Sequence, residues 1–232
     1  MRIAILMANT DESDFAHRHP KDGEKFAALM RLARPEWDYP SYAVKDGVFP
    51  ENPDTAQGYI ITGSPASVNE DQPWMQQLES FVRDLAQAEK PVFGACFGHQ
   101  IIAKALGGRV GDNPKGWVKG AVTARYTKST IAGYASHTQQ VLEPPRGAHV
   151  IASSPDCPVA ALQIGKTIET TQYHPEMTPD FFAALLDEYG PSLPAGVEAA
   201  ARASMEVVPD RAIWAERMAR FFENAVASQA VT

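Results

Sequence analysis

Residues 91–100 read PVFGACFGHQ, and the predicted fold of the chain is built around this stretch. A short apolar run ends at Cys96, glycines stand on either side at Gly94 and Gly98, and helical spacing begins at Ile101. This pattern is typical of a strand, a sharp turn that carries a nucleophile, and a helix. The glycines leave room for a strained backbone, and the helix N-terminus favours a thiolate. A small buried cysteine at the end of a core strand is the alternative interpretation.

A second stretch far downstream contains the groups that a cysteine nucleophile needs. Residues 171–176 read TQYHPE, at the end of residues 166–173, which we predict to form a strand. Histidine is suited to act as a base near neutral pH, and a carboxylate can fix its tautomer and orientation. Because residues two apart point to the same side of an extended strand, His174 and Glu176 are expected to face one cleft. For this stretch taken alone, an ordinary surface turn is the alternative.

Together the two stretches resemble the class I, triad-type glutamine amidotransferase family. The similarity is greatest to stand-alone proteins that look like the amidotransferase domain of GMP synthetase, and it extends from about residue 2 to residue 176. The resemblance implies a catalytic triad in which Cys96 is the nucleophile, His174 the base and Glu176 the orienting acid.

The same resemblance implies an oxyanion hole and a substrate pocket. The backbone N–H groups of Gly63 and Phe97 would form the oxyanion hole, since a glycine lets a backbone N–H approach the substrate carbonyl. Gln100 matches a position in the substrate pocket. Ser136 and His137 open the motif SHTQQV, which resembles a family landmark and makes both residues candidate substrate-binding groups. A hydrogen-bonded structural histidine is the alternative for His137.

Two departures from the family pattern concern the substrate rather than the triad. Relatives usually carry an acidic residue shortly after a Gly-Trp pair, and after Trp117 this chain has Val118 and Lys119. In the SHTQQV motif, Gln139 stands where the family usually has Asp. Both changes leave the acceptor, the partner and the details of substrate recognition open.

The order of apolar runs and amphipathic segments predicts an α/β fold. Buried strands are expected at residues 2–7 and 57–63 and before Cys96, with helices at residues 21–33 and 73–88 between them. Repeated βα units imply a parallel sheet with helices on both faces. We therefore predict one domain over residues 1–232, a three-layer α/β/α sandwich with a mostly parallel, flavodoxin-like sheet.

Other segments complete this prediction. Short β-like stretches within residues 109–170 are interpreted as antiparallel hairpins appended to the sheet. Residues 37–44 are predicted as a second strand, which Pro40 weakens because proline cannot donate to a β-ladder. Residues 9–20 are polar and expected to be mobile. Three helices are expected after Glu176, and Asp210 is expected to be the N-cap of the last one.

Composition excludes several classes of protein. The chain has 232 residues, 44% of them hydrophobic and 21% charged, which is ordinary for a soluble globular protein. No apolar run is long enough to span a bilayer, and a net charge of −7 argues against a nucleic-acid or anionic-membrane partner. Two cysteines, Cys96 and Cys157, make no disulfide framework and fit a reducing cytoplasm.

No cofactor is expected. The sequence has neither a Walker-type phosphate loop nor a Cys/His cluster with zinc-like spacing. His17 and His19 lie in an acidic loop, where a metal site is an alternative to the solvated loop that we favour.

The resemblance implies hydrolysis of the glutamine γ-amide through a γ-glutamyl thioester, with release of ammonia and glutamate. The 232 residues contain no synthetase domain, so either a separate acceptor subunit receives the ammonia or the protein acts alone. A γ-glutamyl peptidase that acts on glutathione-like compounds is the alternative enzyme. A catalytically silent binding or regulatory subunit is the alternative of another class, and the intact triad argues against it.

Overall fold

A computed structural model describes residues 1–127 and 129–229 of the chain. Nine strands form one sheet, and two further strands pair beside it. In chain order the strands are β1 (Ile3–Leu6), β2 (Ser41–Tyr42), β3 (Gly58–Ile61), β4 (Val92–Ala95), β5 (Arg109–Asp112), β6 (Val118–Tyr126), β7 (Thr130–His137), β8 (Gln139–Glu143), β9 (Ala148–Ser154), β10 (Cys157–Ile164) and β11 (Ile168–Thr171).

The helices alternate with the strands in the first half of the chain and follow them in the second. None of the helices in the described ranges is both long and apolar enough to cross a membrane. They are α1 (Asp14–Arg18), α2 (Asp22–Met30), α3 (Pro73–Gln87), α4 (Phe97–Ala105), α5 (Pro179–Tyr189), α6 (Val197–Ser204) and α7 (Arg211–Gln229), with short 3₁₀ turns at Val44–Asp46, Pro53–Thr55 and Gly190–Ser192.

The main sheet has a parallel half and an antiparallel half. Its order is β2-β1-β3-β4-β11-β10-β9-β6-β7, and the first five strands are all parallel to their neighbours. From β11 onward each neighbouring pair is antiparallel, and β5 and β8 form the separate antiparallel pair. This arrangement confirms the predicted parallel sheet with appended hairpins.

Helices cover both faces of the parallel half. Along β1 the side chains alternate between two cores, with Ile3 and Ile5 in one and Ala4 and Leu6 in the other. The first core is completed by α2 and α7, and the second by α3 and α4. Because both faces of such strands are buried, they read as continuous apolar runs in the sequence. The predicted three layers are therefore present.

Two local predictions differ from the structure. The strand expected at residues 37–44 is reduced to Ser41–Tyr42, since Pro40 has no N–H to donate to a ladder. Residues 9–20, expected to be mobile, contain α1, whose N-cap Ser13 accepts a hydrogen bond from Ala16 N–H at 3.2 Å. Asp210, predicted as the N-cap of α7, directly precedes that helix, and its carbonyl accepts a hydrogen bond from Trp214 N–H at 2.9 Å. Its carboxylate accepts a hydrogen bond from the backbone N–H of Ala132 in β7.

Candidate active site

Cys96 lies on a strained turn between β4 and α4. Its φ of 51° and ψ of −105° place a non-glycine residue in a region that is rarely populated. The turn is possible because a glycine stands two residues away on either side of Cys96. A Cβ built on Gly98 would lie 2.3 Å from the Ile61 carbonyl oxygen, and one on Gly94 would lie 2.6 Å from the Gly98 carbonyl oxygen. The strand–turn–helix geometry predicted from residues 91–100 is therefore present.

His174 and Glu176 lie on a turn that follows β11. Strand β11 ends at Thr171, so the two residues do not extend a strand as the spacing argument assumed. The backbone N–H of His174 donates to the Tyr134 carbonyl at 2.8 Å, which anchors the turn to β7. The imidazole Nδ1–H donates to Glu176 Oε1 at 2.8 Å, and both side chains are buried. The expected pair forms, but by a turn rather than by strand alternation.

The charges at this site favour an imidazolium. Burial by itself would lower the pKa of His174, but the negative charges of Cys96 and Glu176 outweigh it and raise that pKa well above 6.5. An imidazolium held by a carboxylate can stabilise a neighbouring thiolate, which is the reactive form of a cysteine.

Gly63 lies close to both His174 and Cys96. A Cβ built on Gly63 would be 2.8 Å from His174 Cε1 and 3.6 Å from Cys96 Cβ. The loop is tied to the elbow because Gly98 N–H donates to the Thr62 carbonyl at 3.1 Å. Within residues 1–127 and 129–229, the N–H groups of Gly63 and Phe97 donate to no acceptor. Two donors without a partner in the described residues therefore lie near Cys96, one on the loop after β3 and one on the first residue of α4.

Gln172 contacts Cys96, although the sequence pattern assigned it no role. Its Nε2 lies 3.7 Å from Cys96 Sγ, and its Oε1 accepts a hydrogen bond from Gln100 Nε2 at 3.2 Å. Gln100 Nε2 also donates to the Gln139 carbonyl at 2.8 Å. The position of Gln172 just before the His-Pro-Glu stretch was the available signal.

A cleft with a volume of about 710 Å³ opens above these groups. All but one of the predicted site residues line this cleft. The exception is Phe97, whose ring stacks on Trp74 in the core at a centroid distance of 5.5 Å. The cleft thus joins the following predicted residues: Gly63, Cys96, Gln100, Ser136, His137, His174 and Glu176.

His137 is a neutral, buried histidine at the cleft wall. Its Nδ1–H donates to the Gln139 carbonyl at 3.0 Å, so the buried Nε2 is an acceptor, and it has no partner in the described part of the chain. Burial lowers the pKa of His137 to about 4. The hydrogen bond of Nδ1 fits the structural interpretation of His137, and its role as a substrate-binding residue stays a prediction.

The outer wall of the cleft comes from the loop that was expected to be mobile. Tyr189 at the end of α5 donates its hydroxyl to Asp11 Oδ2 at 2.9 Å, and its oxygen also lies 2.9 Å from Ser13 Oγ. Phe15 packs edge-on against the Tyr189 ring with centroids 5.5 Å apart. These contacts link residues distant in sequence, so no local pattern predicts them.

No metal centre is formed by the described side chains: residues 1–127 and 129–229 contain no group of three His, Cys, Asp or Glu placed to hold an ion. His17 Nε2 lies 3.3 Å from Glu12 Oε2 at the exposed rim of the cleft.

A glutamine amidotransferase class-I family model matches residues 37–186. The chain therefore belongs to the class I glutamine amidotransferase family, as its motifs predicted.

Relatives of three kinds share this similarity. Gamma-glutamyl peptidase 3 of Arabidopsis thaliana is 28% identical over 243 residues, which cover 96% of this chain and 97% of that protein. A putative glutamine amidotransferase-like protein of Schizosaccharomyces pombe is 32% identical, covering 77% of this chain and 80% of that protein. A GMP synthase of Pyrobaculum aerophilum is 36% identical over 75% of this chain but only 32% of that protein.

Solved structures show the same fold. A glutamine amidotransferase from Methylobacillus flagellatus has a TM-score of 0.74 at 22% identity, covering 98% of this chain and 93% of that chain. A glutamine amidotransferase from Thermotoga maritima has a TM-score of 0.70 at 15% identity, covering 98% and 96%.

Proposed function

We propose that this protein hydrolyses γ-glutamyl amides by cysteine-nucleophile catalysis, with Cys96, His174 and Glu176 as its triad. The observation that carries the proposal is the meeting of a strained cysteine elbow with a buried His–Glu pair, 2.8 Å from Nδ1 to Oε1, across one cleft. Glutamine is the first candidate substrate, and its hydrolysis yields glutamate and ammonia.

In the first half of the proposed reaction, the Cys96 thiolate attacks the γ-carbonyl carbon. The carbonyl oxygen becomes an oxyanion that the N–H groups of Gly63 and Phe97 stabilise. As the C–N bond breaks, the His174 imidazolium gives its proton to the leaving nitrogen. The products of this half are a γ-glutamyl thioester and a free amine or ammonia.

In the second half, neutral His174 takes a proton from water, and the resulting hydroxide adds to the thioester carbonyl. The C–S bond breaks, glutamate leaves, and the thiolate–imidazolium pair is restored. Glu176 accepts the Nδ1–H throughout, so Nε2 of His174 stays directed at the reacting atoms.

A γ-glutamyl peptidase is the second candidate, and a specific observation favours it. The similarity to gamma-glutamyl peptidase 3 spans 96% of this chain and 97% of that protein, whereas the matched GMP synthase is covered for only 32% of its length. The cleft of about 710 Å³ also falls within the range of pockets that enclose ligands larger than a single amino acid. If glutamine proves the substrate, a separate synthetase subunit is the proposed ammonia acceptor.

The test is product release by the purified protein with L-glutamine in one assay and γ-glutamylglycine or glutathione in another. The Cys96→Ala variant serves as the control in both. Ammonia and glutamate from glutamine support the glutaminase, and a free amine from the peptide alone supports the peptidase. No turnover in either assay, together with no covalent labelling of Cys96 by a glutamine-mimicking electrophile, would contradict the proposal.

A further inference from the structure

Lys119 is a lysine in the cleft that contacts no carboxylate of the described chain. Its Nζ donates to Ser136 Oγ at 2.9 Å and lies 5.4 Å from the Trp117 ring centroid. The cleft's other partly buried lysines differ: Lys25 Nζ lies 3.0 Å from Asp22 Oδ1, and Lys45 Nζ contacts two carboxylates.

The ammonium of Lys119 is partly buried and lies near one negative group. Burial lowers the pKa of the Lys119 ammonium to about 8, and the negative charge of Cys96 opposes that shift. Because the ammonium is paired with no carboxylate of the described chain, part of the cost of removing it from water remains, and an anion that enters the cleft would offset this cost.

Ser136 adds a second donor beside this ammonium. Ser136 on β7 lies directly opposite Lys119 on β6 in the antiparallel pairing of these strands. Since Ser136 Oγ accepts from Lys119 Nζ, its own hydroxyl hydrogen is available to a ligand. An ammonium with two remaining hydrogens and a neighbouring hydroxyl suit the two oxygens of a carboxylate.

We propose that Lys119 and Ser136 bind a carboxylate of the substrate and so select anionic γ-glutamyl compounds. This inference rests on the proposed function, and it adds a binding residue to the reaction. The carboxylate has two sources, the α-carboxylate of the γ-glutamyl unit and the carboxylate of a leaving amino acid. Both lie within one γ-glutamyl dipeptide.

The experiment measures binding in the Cys96→Ala background, so that no turnover is needed. Calorimetry compares γ-glutamylglycine with its α-carboxamide analogue and with its glycinamide analogue. The proteins are Cys96→Ala alone and the double variants that add Lys119→Met or Lys119→Arg. Lys166→Met is the matched control, because Lys166 is an exposed lysine on the turn between β10 and β11.

With Lys119 present, amidation of one carboxylate is expected to weaken binding roughly 10- to 100-fold, the range for a hydrogen bond to a charged group. In Lys119→Met this preference disappears, whereas Lys119→Arg retains most of it and Lys166→Met all of it. The analogue that loses affinity identifies which carboxylate Lys119 binds.

Two results would overturn the inference, and they are distinguishable. If all three ligands bind and Lys119→Met leaves their relative affinities unchanged, the carboxylate site is wrong while the proposed function stands. If none of the ligands binds the Cys96→Ala protein and the wild type releases no product from γ-glutamylglycine, both proposals fail.

Discussion

Gly63 lies so close to His174 that a methyl group on its Cα would come within 2.8 Å of the imidazole Cε1. Real Cβ atoms do not approach another atom this closely, so Gly63→Ala must displace either the imidazole or the loop that carries the Gly63 N–H. Both groups have assigned roles in the proposed reaction, one as the base and one as an oxyanion donor.

We therefore expect Gly63→Ala to lower kcat by roughly 100-fold, within the range for loss of one oxyanion-hole donor. Steady-state kinetics with whichever substrate is turned over measures the effect. A thermal unfolding curve of the same variant separates a local displacement from loss of the fold. A kcat within a factor of two of the wild type would show that this glycine is not part of the site.

The two cysteines should react differently with alkylating agents. Burial raises the pKa of the Cys157 thiol to about 12, and Cys157 is fully buried in the core next to β9. Cys96 opens onto the cleft at a helix N-terminus. Brief iodoacetamide treatment at neutral pH should label Cys96 alone, as read by peptide mass spectrometry, and abolish activity in proportion.

Matched cysteine variants test the same point by mutation. Cys96→Ala should fold normally and lose turnover, because alanine meets the same φ of 51° without adding bulk. Cys157→Ala should keep turnover within a few-fold and lose about 1 kcal/mol or more of stability, since it leaves a small cavity. Turnover by Cys96→Ala would remove the central claim.

The triad roles predict an order of losses. His174→Ala removes the proton carrier, whereas Glu176→Gln keeps a side chain of the same shape that can still orient the imidazole. We expect the larger fall in kcat for His174→Ala, since orientation matters less than proton transfer. Equal or reversed losses would contradict the role assignment.

His99 should make the protein less stable in acid. Burial lowers its pKa to about 3, and its Nε2–H donates to the Val159 carbonyl at 3.2 Å. An unfolded histidine titrates near 6.5. The unfolded chain thus binds the extra proton between these pH values, so the contribution of His99 is present above pH 6.5 and falls as the pH drops toward 3.

Urea unfolding at pH 7 and pH 5 measures this dependence. Wild type should lose up to about 1.4 kcal/mol per pH unit from this histidine. His99→Gln should have a lower free energy of unfolding than the wild type at pH 7, but that free energy should fall less steeply between pH 7 and pH 5. Part of the fall should remain in the variant because burial also lowers the pKa of His137, to about 4. The exposed His149→Gln variant serves as control, and the same decline in both variants would refute the assignment.

The sequence by itself was sufficient for the parallel half of the sheet, and it singled out Cys96, His174 and Glu176, which the structure brings to one cleft. Buried parallel strands have continuous apolar sequences, and the turn at Cys96 needs small residues at fixed offsets. Both features can therefore be recognised from short stretches of sequence. The class I glutamine amidotransferase family followed from the same local motifs, and the family match over residues 37–186 confirms it.

Tertiary structure decided what no local pattern records. His174 and Glu176 meet through a turn anchored to Tyr134, not through strand alternation. The polar loop near the N-terminus is held by Tyr189, which lies far away in sequence. Lys119 on β6 lines the cleft opposite Ser136 on β7, and no carboxylate of the described chain contacts it. Side-chain partners across such distances depend on how the elements pack, and local sequence patterns do not record that packing.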